Sequence, residues 1–161
     1  RWNGRIFLFA ATAAAVSGLF LVWMRGEIES VSNATAISLN GALILFFAAL
    51  AWSKAVQKDF AAHRRWAMRL FLVANGVFFL RLMMSAWLVI MKKNPGGLFH
   101  VMEFASFLFP LAALELFLRA RESGPSIRFA TAGALLIVAG LTIVGIFGFV
   151  MIFVRRIMGI S

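Results

Sequence analysis

The segment Ala61 to Arg69, AAHRRWAMR, sets one histidine, three arginines and a tryptophan in nine positions at the mouth of a long apolar run. An imidazole can ligate haem iron, and guanidinium groups pair with carboxylates and phosphates. His63, with Arg64, Arg65 and Arg69, is therefore a candidate site for a b-type haem or an anionic head group. A b-type haem needs two imidazoles from facing helices, with arginines on its propionates. The other histidine is His100. Topology places it at the opposite membrane face, where it cannot be the second ligand. The competing readings are an interfacial anchor, with Trp66 in the aromatic belt and arginines meeting lipid phosphates, and a quinone site.

A second set of polar side chains falls inside apolar runs. Arg81 lies about ten residues, or roughly 15 Å, from the outer end of its run. Glu103 lies in the next run, about 7 Å off in depth, within reach of a long guanidinium stem. An Arg81–Glu103 ion pair is the expectation, because ionisable groups at membrane depth are usually paired. Glu115 has Arg119 four residues on and on the same helical face. Buried pairs that fix helix register compete here with a proton or ion path. Asn40 and Asn75, each followed by glycine, suit hydrogen bonding and close packing between helices. Pro110 should kink its helix and free a carbonyl near Ser106. Gly133, Gly140 and Gly148 read as one packing face of the last helix.

Other chemistry is excluded or unsupported. The chain has no cysteine, which removes disulfides, thiolate metal sites and iron–sulfur clusters. Two histidines are too few for a multi-histidine metal site. Neither a phosphate loop, a nucleophile–base pair nor two carboxylates placed for acid–base work is visible. The sequence therefore points away from an enzyme.

The elements that must carry these residues follow from composition. Of 161 residues, 63% are hydrophobic and 14% charged, and mean hydropathy is +0.94. A soluble domain has about 45–50% apolar and about 25% charged residues. The class is an all-α, polytopic transmembrane bundle. A bilayer core of about 30 Å needs around 20 apolar residues per helix. Five stretches qualify, over 6–24, 34–53, 66–91, 98–118 and 129–154. Pro95-Gly96-Gly97 forces a sharp turn after the third.

The net charge of +10 is spread between apolar runs and not along one polar face, which argues for membrane flanks and against nucleic acid. Ten Lys and Arg residues lie on the side of Arg1 and the His63 loop and five on the other, with Arg81 within a run. That asymmetry places Arg1 and the His63 loop in the cytoplasm and the protein in the cell inner membrane. The chain begins at Arg1 without an initiator methionine, so an upstream segment is expected.

An internal similarity appears at an offset of 64. RWNGRIFLFA at 1–10 and RWAMRLFLVA at 65–74 share six of ten residues, and Trp23 aligns with Trp87. One reading is a two-helix repeat, helices 1–2 and 3–4, with a fifth helix added. The other is the general preference of membrane-entering helices for Arg and Trp.

These residues carry a resemblance. RWNGRIFLFA, followed by DFAAHRRWAMR and FFLRL, with Glu115 late in the next helix, resembles the bacterial family of predicted membrane proteins known as domain of unknown function 2306, over about residues 1–118. In that family a histidine usually precedes the first Arg-Trp pair, and methionine stands where this chain has Ala67. Such a histidine would lie at the depth of His63 if the repeat holds. The resemblance implies architecture and motif and assigns no activity.

The leading expectation is a non-enzymatic multi-pass module that packs with lipid or serves as accessory subunit of a larger membrane complex. The alternatives are a haem- or quinone-binding electron carrier and a small transporter using Arg81 and Glu103. Haem b is the one cofactor the residues suggest.

Overall fold

The computed structural model describes residues 2–24, 30–121 and 124–158. They form six helices: α1 (Trp2–Met24), α2 (Val31–Val56), α3 (Phe60–Ala74), α4 (Gly76–Met91), α5 (Leu98–Arg121) and α6 (Pro125–Met158). No strand occurs among the described residues. Apolar runs of this length favour helices because lipid offers no partner for backbone N–H and C=O groups, and a helix satisfies them internally. Four helices are long and apolar enough to cross a membrane, and a fifth span arises if α3 and α4 count as one. Arg1, Arg25 and residues 122–123 of the loop before α6 lie outside the described residues.

The third expected span, 66–91, falls on two helices, α3 and α4, with a break at Asn75. Asn75 ends α3, and its Nδ2 donates to the Phe71 carbonyl at 2.7 Å. That side-chain bond competes with the continuing helical ladder, as asparagine commonly does. At its other end, α3 begins earlier than expected. The Asp59 side chain accepts from Ala62 N at 3.1 Å and caps the helix, which places His63 inside α3 rather than ahead of it. The last helix is also longer than its expected 129–154, starting at Pro125 and ending at Met158.

The chain falls into two compact units, Arg1–Gly76 and Val77–Ser161. In the first, α1 packs on α2 at Gly41. A Cβ there would meet the Leu19 side chain at 3.1–3.3 Å, so glycine lets Leu19 pack closely over the α2 backbone. Trp23 Nε1 donates to Ser38 Oγ at 2.9 Å across the same helix pair. Ala15, Ile44, Phe47, Leu70 and Val73 are buried among the three helices, and Phe7 meets Phe71 at a ring separation of 5.8 Å. The turn from α2 to α3 passes through Lys58 at φ 61°.

In the second unit α4 and α5 are joined through Lys92 and Gly96, both at positive φ, with Leu98 N donating to the Pro95 carbonyl at 3.1 Å. The helix α5 continues through Pro110. The contact of α6 with α4 is a backbone approach. A Cβ on Gly145 would lie 2.7 Å from the Leu82 carbonyl oxygen, and one on Gly148 2.9 Å from that of Ser85. The expected packing row is therefore corrected in part: Gly148 packs, but Gly133 and Gly140 have nothing within 4 Å of a Cβ. At about 100° per residue, Gly145 and Gly148 share one face, and Gly133 and Gly140 lie more than about 90° round the helix from its centre.

Candidate functional site

The AAHRRWAMR cluster holds the α2–α3 hairpin. His63 Nδ1 lies 2.8 Å from the carbonyl oxygen of Ala51, a buried residue of α2. A carbonyl only accepts, so Nδ1 is the donor. Trp66, three residues on, packs on Phe47 at 5.8 Å and edge-on to Phe46 at 6.5 Å. The Arg69 guanidinium sits 4.5 Å from the Trp66 ring centroid, a cation–π geometry. Arg64 and Arg65 are exposed on the same helix. The cluster thus combines an inward clasp of His63 and Trp66 with an outward basic fringe. An imidazole held through Nδ1 is compatible with an axial ligand through its other nitrogen, and the ring arrangement equally serves packing.

The expected Arg81–Glu103 ion pair is not formed. Arg81 is exposed on α4, and among the described residues no ion pair joins it to Glu103. Glu103 is buried and pairs instead with His100 one turn earlier on α5, Nδ1 to Oε2 at 3.2 Å. Arg81 falls in the second turn of the 16-residue α4. Ser85 follows Arg81 by one turn, and its Oγ donates to the Arg81 carbonyl at 2.8 Å. Ser106 Oγ donates to the Glu103 carbonyl at 2.7 Å. Glu115 is half-buried and Arg119 exposed, one turn apart on α5. Asn40 Oδ1 is buried without a hydrogen-bond partner, and Asn75 is used at the helix break.

One feature escaped the sequence reading. In the second unit a cavity of about 350 Å³ lies among α4, α5 and α6, with Trp87, Met102 and Pro110 in its wall. Trp87 Nε1 is buried and has no partner among the described residues. The signal was the 64-residue offset. It carries Trp23 onto Trp87 and also Ser38, the acceptor for Trp23, onto Met102, which cannot replace it. Among the described residues no cluster of three or more His, Asp or Glu side chains is placed to hold a metal.

Comparison with family models, with curated proteins and with solved structures gives no match.

Proposed function

We propose that this chain is a non-enzymatic multi-pass module of the cell inner membrane, an accessory subunit whose α6 docks on a larger membrane complex while lipid covers the rest. The Arg1 end and the α2–α3 turn face the cytoplasm in this reading, on the Lys and Arg asymmetry of the loops. The observation that carries it is the packing of α6. Of its 34 residues, only Gly145 and Gly148 are buried among those described. At 1.5 Å per residue the helix is about 51 Å long, well beyond the bilayer core. The open side of Gly133 and Gly140 would let a partner helix approach its backbone closely.

The absence of cysteine makes the test direct. Single cysteines at Gly140 and at its neighbour Ala139, about 100° away at the same depth, carry spin labels in native membranes. The reading expects the label at 140 to be shielded from dissolved oxygen relative to 139, and the shielding to vanish once the protein alone is in nanodiscs. Equal oxygen exposure of the two sites in native membranes would remove the docked partner.

A second reading, a b-type haem carrier, is motivated by the His63 contact to Ala51, which engages Nδ1 and not Nε2. A reduced-minus-oxidised spectrum of protein made with haem available separates the two. Split Soret and α bands favour haem, and a featureless spectrum dismisses it. The transporter reading loses its motivating ion pair, because Glu103 meets His100.

A further inference from the structure

A second cleft of unit Val77–Ser161 lies where α5 ends and α6 begins. Its volume is about 480 Å³, within the range of small-molecule sites, about 300–1,000 Å³. Phe117 and Arg121 of α5 line it, with Arg128, Thr131, Ala132 and Leu135 of α6. The four residues of α6 stand at i, i+3, i+4 and i+7, which is one helical face. Arg121 follows Phe117 by four, on one face of α5. Each wall is therefore basic at its loop end and apolar toward the middle of its helix. Along the helix axes Leu135 lies about 10 Å below Arg128, and Phe117 about 6 Å below Arg121.

Both guanidinium groups are tied to the mouth of the cleft. Arg128 Nη2 donates to the Arg121 carbonyl at 3.1 Å. The Arg121 guanidinium lies 5.8 Å from the Phe117 ring centroid. A guanidinium carries five N–H donors in a planar fork that matches phosphate oxygens. Both arginines are exposed, and the lining holds no acidic residue. Between 119 and 128 the sequence sets Arg119, Arg121 and Arg128 against Glu122, so the charge there is positive. Each of the two helices is long and apolar enough to span a bilayer. With both spanning, their junction sits at the membrane–water interface, the depth of lipid phosphates.

We propose that this cleft binds an anionic phospholipid, its phosphate between Arg121 and Arg128 and an acyl chain along Phe117 and Leu135. Basic pockets between membrane helices suit such head groups. A zwitterionic head group brings its own cation beside two guanidinium groups, whereas phosphatidylglycerol brings none. Free phosphate would meet the arginines but leave the apolar walls uncovered. The inference rests on the multi-pass reading above and not on the docking of α6.

The test is photolabelling of the full chain in phosphatidylcholine nanodiscs. The probes are phosphatidylglycerol and phosphatidylcholine, each carrying the same diazirine in one acyl chain. At 117–121 and 128–135 the phosphatidylglycerol probe is expected to label about tenfold more strongly, as charge-assisted hydrogen bonds allow. On the exposed apolar positions of α1 the two probes should label alike. Arg121→Gln with Arg128→Gln should remove the preference. Lys54→Gln with Lys58→Gln, an equal loss of charge in the other unit, should leave it in place. Should the arginine variant not fold, Ala132→Trp serves, because it obstructs the cleft with both charges kept and should suppress labelling there. The proposal is overturned if the two probes label the cleft equally, or if the lysine variant loses the preference as fully as the arginine variant. It is equally overturned if inorganic phosphate displaces the lipid probe as well as unlabelled phosphatidylglycerol does, or if both cleft variants label like the parent. Retention of the chain in membranes through alkaline carbonate reports the multi-pass reading separately, and release would end both.

Discussion

Trp23 and Trp87 stand 64 positions apart, each near the end of an apolar helix that follows an R-W-x-x-R segment. Trp23 donates to Ser38, and beside that bond Leu19 fills the notch at Gly41. Trp87 Nε1 has no partner among the described residues, and a cavity lies beside the residues that match the filled notch. The same contrast runs through the helices. The most apolar window of α2 is 39% buried and that of α6 only 11%. Similar helix sequences can thus make a closed interface or an open one, and the choice lies in a few side chains at the crossing. A serine against a methionine decides whether an indole is paired. A leucine over glycine, against a methionine beside alanine, decides whether the volume is filled.

The sharpest way to break this comparison is to add bulk at matched positions. Gly41→Phe should displace Leu19 and destabilise the protein by about 1–3 kcal/mol, the usual cost of overpacking. Ala105→Phe, its counterpart, should cost nothing or raise the melting temperature. Thermal melts of both variants in one detergent check the pair, and equal losses would mean that the second site is as closed as the first. Gly145→Leu tests whether the second unit is open only at the cavity. Its side chain would meet the Leu82 carbonyl, where even a Cβ is 2.7 Å away, so a loss in the same range of about 1–3 kcal/mol is expected.

A smaller effect concerns the first unit's clasp. His63→Phe removes the bond to the Ala51 carbonyl and should cost about 1 kcal/mol, read in the same melts. The smallest change is a gain. Gly140→Ala, with open space around its Cβ, should stabilise α6 by about 0.5–1 kcal/mol through helix propensity alone. A loss there would mean that another chain already occupies that face.

The five apolar runs were legible because a bilayer fixes the length of a spanning helix, and each run contains the core of a helix that formed. The break at Asn75 was not read, though its signal, Asn followed by Gly within an apolar run, was in view. Hydropathy averages over the break. Glu103 was expected to meet Arg81, and periodicity gave no sign that His100, one turn earlier on its own helix, would meet its carboxylate. The span drawn from 66 left His63 ahead of its helix, and sequence cannot show that Nδ1 reaches a carbonyl twelve residues back on α2. Gly148 was singled out from spacing alone, whereas Gly145 became visible only once α4 lay against α6. The cavity depends on three helices meeting, which no periodicity reports. The offset of 64 nevertheless carried part of it, in the replacement of Ser38 by Met102.

The most direct test of the account is the indole nitrogen–proton spectrum of the protein in ether-lipid nanodiscs, with the Trp87 signal assigned by Trp87→Phe. The Trp23 indole proton, bonded to Ser38, is expected downfield of that of Trp87, and Ser38→Ala should move it upfield while the Trp87 signal stays in place. A Trp23 signal that does not move on Ser38→Ala, or a Trp87 signal that moves as far, would contradict the distinction between the two tryptophans.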